Sequence, residues 1–326
     1  MPDMAVPSVA PVVFALLAAA SFAASQVAVR RGLVTTTVVG GLLVSLGSSL
    51  AVLTVAVALD PPTGALDGQA IALFAMAGVA APGVARWAAA TGVRRLGPST
   101  AVPIMQSARP LLATAAAVVL LTEPLATQRA VGLALIVVGG WSLSRDTTAD
   151  ADPGRRPADR DTLGPSSRSG SKPLRGDAIP RRQAVLRRGA AFPLLAGLCY
   201  ASADILIKRG LLLMPKPATA ALISTVAALA TWSAVVAASP RFRTRVALGS
   251  DIGWQVLSGV LAGTALLCLS TALGRGDVTL VSPVLASQPL MVFILSRLLL
   301  RDLERLQMAT VLAGCSIVVG TLVVAR

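Results

Sequence analysis

The chain is a succession of long apolar stretches separated by short polar ones. Ten stand out, roughly at 8–29, 34–58, 69–91, 99–121, 126–143, 190–208, 217–238, 253–273, 279–300 and 306–325, each near the ~20 residues that cross a bilayer as a helix. None shows the apolar/polar alternation of a membrane-barrel strand, so all ten are expected to be helices. The pattern breaks once. Ser144 to Arg188 holds five prolines, four glycines, eleven basic and six acidic residues, and no aromatic residue. Such a segment cannot bury a core and reads as a disordered basic linker. It divides the chain into 1–143, 144–188 and 189–326, with five predicted spans on either side.

The two sides repeat each other. Phe14 to Leu33 (FALLAAASFAASQVAVRRGL) returns 178 positions later as Phe192 to Leu211 (FPLLAGLCYASADILIKRGL), with eight of 20 positions identical and no gap. Arg109-Pro110 in the fourth span aligns with Gln288-Pro289 in the ninth, at an offset of 179. Glu123 then falls on Asp302, and Gln128 on Gln307. After a two-residue slip, IVVG at 136–139 meets IVVG at 317–320. An odd number of spans per copy makes the second copy enter the membrane from the opposite side. The expected fold is therefore an all-α polytopic membrane protein of ten transmembrane helices, arranged as two inverted five-helix repeats.

Composition agrees. The 326 residues are 55% hydrophobic and 13% charged, about half the charged share of a soluble domain. The net charge of +14 could point to nucleic acid. The basic residues cluster instead in loops beside the membrane, where anionic lipid accounts for them. With 3% aromatic residues there is no stacking platform, so no nucleic-acid partner is expected. Were the linker cytoplasmic, 21 basic residues would lie inside and six outside, with Arg86 and Arg109 in spans. The positive-inside rule then places both termini outside. There is no histidine, and Cys199, Cys268 and Cys315 fall in spans without CxxC spacing. Histidine-ligated metal and histidine general bases are excluded, and no cofactor is expected.

Two five-helix units, each closing with an acid-plus-glutamine segment and a glycine-bearing last helix, resemble the EamA-type transporters of the drug/metabolite transporter (DMT) superfamily. The first ending is TEPLATQRAVGLALIVVGG and the second RDLERLQMATVLAGCSIVVG. The resemblance covers nearly the whole chain outside the linker. Asp302 stands where the family more often has glutamate. Phe22 and Tyr200 stand where its first helices commonly carry tryptophan. The resemblance implies export or exchange of amino acids, drugs, sugars or lipid-linked intermediates, and both termini in the cytoplasm, opposite to the charge rule.

Several residues are candidates for chemistry. Arg109 lies near mid-membrane, where a charge costs roughly 2.5–3.5 kcal/mol. It should contact substrate, line a cavity, or pair with an acid to lock the bundle. Pro110 frees the carbonyl of Gln106 one turn earlier, and Pro289 frees that of Leu285. Gln288, the repeat partner of Arg109, either lines the same site or bonds between helices. Asp204 either handles a proton or cationic group, pairs with Lys208 four residues on, or pairs with Arg109. Gln26, its repeat partner, is a site or packing residue. Arg86 is expected to snorkel to the interface. Trp87, Trp141, Trp232 and Trp254 read as interfacial anchors. Glu123 and Asp302 read as acids that start the following helix. The small-residue run Ala15, Ala19, Ala23 and the pair Gly139, Gly140 suit either intramolecular packing or a homodimer.

These features describe a non-enzymatic secondary transporter in the bacterial plasma membrane. It exports or exchanges a small metabolite, such as an amino acid or organic anion, by alternating access. With no G-x-x-x-x-G-K-[ST] loop, a proton or ion gradient, or the substrate's own gradient, would drive it. Arg109 would take a carboxylate or phosphate and Asp204 a proton or amine. The alternatives are a flippase for a lipid or lipid-linked intermediate and a non-transporting membrane partner or sensor.

Overall fold

The computed structural model describes residues 9–61, 66–96, 98–123, 178–243 and 249–288, with isolated positions between 127 and 134 and between 291 and 295. Among them every regular element is a helix. In chain order these are α1 (Ala10–Gly32), α2 (Val38–Leu59), α3 (Gly68–Gly78), a π-helical segment (Val79–Ala85), α4 (Arg86–Leu96), α5 (Pro98–Leu120), α6 (Ala178–Leu213), α7 (Pro217–Ala238), α8 (Pro240–Arg243), α9 (Ile252–Arg275) and α10 (Val278–Leu285). Six stretches are long and apolar enough to cross a membrane: Ala10–Gly32, Val38–Leu59, Gly68–Gly92, Ala190–Leu213, Pro217–Ala238 and Ile252–Arg275. They match the first three and the sixth to eighth predicted spans. The fourth is α5, and the ninth opens as α10. The fifth, the tenth and the rest of the ninth lie almost wholly outside the described residues.

Local signals set several boundaries. Thr37 and Asp67 accept from the backbone amides of Gly40 and Ala70, capping α2 and α3. Pro11 and Pro217 sit in the first turns of α1 and α7, where a missing N–H costs nothing. One boundary departs from expectation. α6 begins at Ala178, so 178–188, assigned by composition to the linker, is helical. Its sequence explains this: Pro180 falls in the first turn, and the arginines, alanines and leucine after it are good helix formers. Residues 144–177 lie outside the described residues.

The third predicted span is continuous but not uniform. Pro82 lacks an N–H and sits in the π segment; the amide of Arg86 reaches back five residues to the Ala81 carbonyl. Each residue of excess in a turn rotates the rest of the helix by about 100°. The direction in which Arg86 points is therefore set by this segment.

Packing is between the two halves of the sequence. α1 and α2 lie chiefly against α9, and α5 against α6. The interior is built of alanine: Ala15, Ala19 and Ala23 in α1 are fully buried. That run serves packing within the bundle. α2 and α9 meet along a seam of small residues, with Ser45 and Ser49 on one side and Gly259 and Gly263 on the other. There the Ser49 hydroxyl donates to the Gly259 carbonyl at 2.7 Å, and Ser25 of α1 donates to the Ser258 carbonyl at 2.9 Å.

Two of the tryptophans pack between helices, and Trp232 is buried. Trp87 packs against Phe192 and Trp232, and Trp232 against Phe242, with ring centroids 5.8 to 6.1 Å apart. These edge-on and tilted ring contacts join α4, α6, α7 and α8. Trp254 lies under the guanidinium of Arg31. Trp141 lies outside the described residues.

Candidate functional site

A cavity of about 70 Å³ lies between the halves, room for roughly five waters. α1, α2, the third span and α5 line it from the first half, and α6, α7 and α9 from the second. It runs from the middle of the bundle toward the end where α1 finishes, with Val29 and Ala90 among its walls.

Arg109 and Asp204 meet at this cavity. The Nε of Arg109 donates to Oδ2 of Asp204 at 3.0 Å and Nη2 to Oδ1 at 2.8 Å. Both side chains are buried, 5% and 2% exposed. This is the planar two-point match between guanidinium and carboxylate, stronger than two separate neutral bonds. The guanidinium carbon also lies 5.1 Å from the centre of the Tyr200 ring, one turn before Asp204. The structure selects among the sequence alternatives. Asp204 does not pair with Lys208, and Arg109 and Asp204 do not stand apart as separate anion and cation sites. Each is the other's counter-ion.

The repeat makes this contact asymmetric. By the sequence offsets, the equivalents of Arg109 and Asp204 are Gln288 and Gln26. These two do not bond to each other. Gln288 accepts from Nε2 of Gln106, and both are buried, forming a second polar link between halves. Neither is among the cavity's lining residues. Gln26 lines the cavity and has no hydrogen-bond partner among the described residues. Pro110 sits within α5 without interrupting it. Pro289 lies outside the described residues.

The sequence expectation for Arg86 was the membrane interface. Its side chain lines the cavity instead, where Nη1 donates to the Ser45 hydroxyl at 3.3 Å. No sequence signal tells snorkelling from inward pointing, because the π segment decides the direction.

The end of the bundle where α1 begins is pinned by charges on helix termini. Glu123 is buried, and its two carboxylate oxygens accept from the amides of Val278 and Thr279, at 3.0 and 2.9 Å. These are free donors of the first turn of α10. Asp277, the residue in the capping position, makes no side-chain cap there. Glu123 thus caps a helix in the other half, where the sequence predicts that it starts the next one; residues 124–126, which follow it, lie outside the described residues. Thr122, at φ 53, is in the left-handed region. The Glu123 amide then returns to the Ala117 carbonyl at 3.3 Å, closing α5 with a Schellman-type bond. Lys208 donates to the carbonyls of Leu273 and Gly276 at the end of α9, and Arg209 to that of Leu120 at the end of α5. Asp302, the repeat partner of Glu123, lies outside the described residues.

Replacing Glu123 with alanine should remove two charge-assisted bonds and leave two buried amides unpaired. We expect a loss of about 2–3 kcal/mol, read as reduced resistance to denaturant in detergent, with Glu123→Gln intermediate. Equal stability of wild type and Glu123→Ala would show that water replaces the carboxylate.

Among the described residues no three histidine, cysteine, aspartate or glutamate side chains come together as a metal site would require.

The model of the EamA-like transporter family matches this chain twice, over residues 9–145 and 187–326. No curated protein matches. A protein of known crystal structure, 14% identical, superposes with a TM-score of 0.65 over 96% of this chain and 95% of its own. At that identity the likeness speaks for the fold alone.

Proposed function

The chain belongs to the EamA-like transporter family, and on that premise we propose that it moves a small metabolite across the bacterial plasma membrane by alternating access. Membership and the six apolar helices make it a multi-pass membrane protein. The two matched segments act as inverted repeats of five helices each, joined by a basic linker. Substrate binds between them, about midway through the bilayer. A gradient of the substrate, a proton or another ion drives the cycle.

The observation that carries this reading is the cavity lined by helices of both halves, with a buried ion pair across it. Arg109 and Asp204 neutralise each other, so their role is to fix the wall of the site and hold α5 against α6. Gln26, unpaired at the cavity, offers a donor and an acceptor to the substrate. Gln106 and Gln288, bonded to each other away from the cavity, hold the halves together.

The test is solute counterflow in proteoliposomes loaded with amino acids, organic anions, sugars or cations in turn. We expect one class to exchange and Gln26→Ala to slow that exchange at least several-fold. Translocation of a labelled lipid without movement of any soluble compound would replace this reading with a flippase. Binding without movement of either would replace it with a membrane sensor or partner.

A further inference from the structure

We propose that Arg86 is the residue that selects the substrate, and that the substrate carries an oxyanion, a carboxylate or a phosphate. This rests on the transport reading above and adds the charge of the cargo. Three cavity-lining residues, Arg86, Arg109 and Asp204, carry charge. Arg109 and Asp204 cancel through their two short bonds. Arg86 is left as the surplus, giving the cavity one net positive charge. Among the described residues Arg86 meets no carboxylate; its one hydrogen bond runs to a neutral hydroxyl, at the long distance of 3.3 Å.

A charge kept in a membrane interior without a counter-ion is expensive. Such a residue normally finds an acid, as Arg109 does. Arg86 faces open space instead, and several of its donors remain unused. The groups nearby are arranged to share a ligand with it. The Tyr200 side chain lines the same cavity, and its hydroxyl has no hydrogen-bond partner among the described residues. The Gln26 amide is likewise unpaired there. By contrast, the serine and threonine hydroxyls of the lining are committed to backbone: Ser25 to Ser258, Ser49 to Gly259 and Thr225 to Ala221. The unspent hydrogen-bonding capacity is therefore concentrated on a guanidinium, a phenol and an amide. A guanidinium fork binds a carboxylate or phosphate in two-point fashion, and a phenol and an amide supply further donors. Among the described residues a cation would meet net positive charge and no free carboxylate in this cavity.

The position of Arg86 has its own structural cause. Pro82 and the π segment before it set the rotation of the helix that Arg86 begins. Bulges of this kind occur often at functional sites.

A soluble metabolite and a lipid headgroup present the same oxyanion. The experiment separates them. Purified protein is titrated with a short monocarboxylate, a dicarboxylate, glycerol phosphate, a quaternary ammonium ion, and phosphatidic acid in mixed micelles, with binding read by calorimetry and thermal shift. Wild type, Arg86→Gln and Arg86→Lys are compared. We expect one of the three soluble anions to bind wild type and raise its melting temperature. Arg86→Gln should weaken that binding at least tenfold, and Arg86→Lys should retain part of it. Without ligand, Arg86→Gln should melt no lower than wild type, since it removes an uncompensated charge. A lower melting temperature would make Arg86 a structural residue and overturn the proposal. So would binding of the ammonium ion alone, or anion binding unchanged in Arg86→Gln. Binding of phosphatidic acid alone, lost in the variant, would keep the oxyanion and assign it to lipid. Failure of the transport reading looks different: the anion would bind in an Arg86-dependent way, yet no compound would cross the proteoliposome membrane.

Discussion

Asp204→Ala should lower stability by about 3–5 kcal/mol, because it leaves the Arg109 guanidinium buried without a counter-ion. Both residues are buried, so the charge left behind loses its two short bonds in a largely apolar surrounding. Arg109→Ala should cost a similar amount. The double variant Arg109→Met, Asp204→Leu should recover most of the loss. Replacing a whole buried ion pair with apolar groups of similar size is often neutral or stabilising. Unfolding in mixed micelles, followed as a double-mutant cycle, gives the coupling directly. Strong coupling in stability, with transport retained in the double variant, is the expected outcome if the pair only shapes the wall. Additive losses would mean that the two side chains act separately, as an anion site and a cation site. Full stability of the double variant with no transport would assign the pair a direct part in the cycle.

Gly78→Ala and Gly259→Ala should each cost about 3 kcal/mol or more, at the upper end of what overpacking brings. A Cβ at Gly78 would fall inside the carbonyl of Ser224, where α3 crosses α7. One at Gly259 would overlap the Ser45 carbonyl and the Ser48 hydroxyl, on the α2–α9 seam. Backbone carbonyls cannot swing aside as a flexible side chain does, so the helices must part. Separation would also break the bond from Ser49 to Gly259 and that from Ser224 to the Phe74 carbonyl. The control is internal to two of the same helices. Gly47 in α2 and Gly253 in α9 have nothing within 4 Å of an added Cβ. Alanine there should be neutral or gain up to about 1 kcal/mol, from its higher helix propensity. If all four variants melted alike, close approach at these crossings would not be what holds the bundle.

Most of the architecture is legible in the sequence because hydrophobic length is a direct readout of bilayer thickness. The apolar stretches announce the six long helices and α5, and the repeat announces two comparable halves. The candidate site is legible only in part. Arg109 and Asp204 stand out as costly charges. That they face each other depends on how α5 lies against α6, which no spacing along one helix reveals. The expectation that Arg86 snorkels rests on its nearness to the end of its span, which does not say which way the helix turns it; the π segment before it sets that direction, and the side chain lines the cavity. The expectation that Glu123 starts the next helix applies a local rule; its partners are more than 150 residues away. The α6 extension escapes composition, which does not distinguish a charged helix from a charged coil.

The asymmetry of the ion pair also bears on how the two copies could have diverged. The copies share the two positions but differ in what fills them: arginine and aspartate across one contact, two glutamines at the equivalent places. Either charge by itself would sit uncompensated in the bilayer interior. Positions 109 and 204 are thus a linked locus. Neither can drift without the other, and a lineage that loses one is under pressure to lose both.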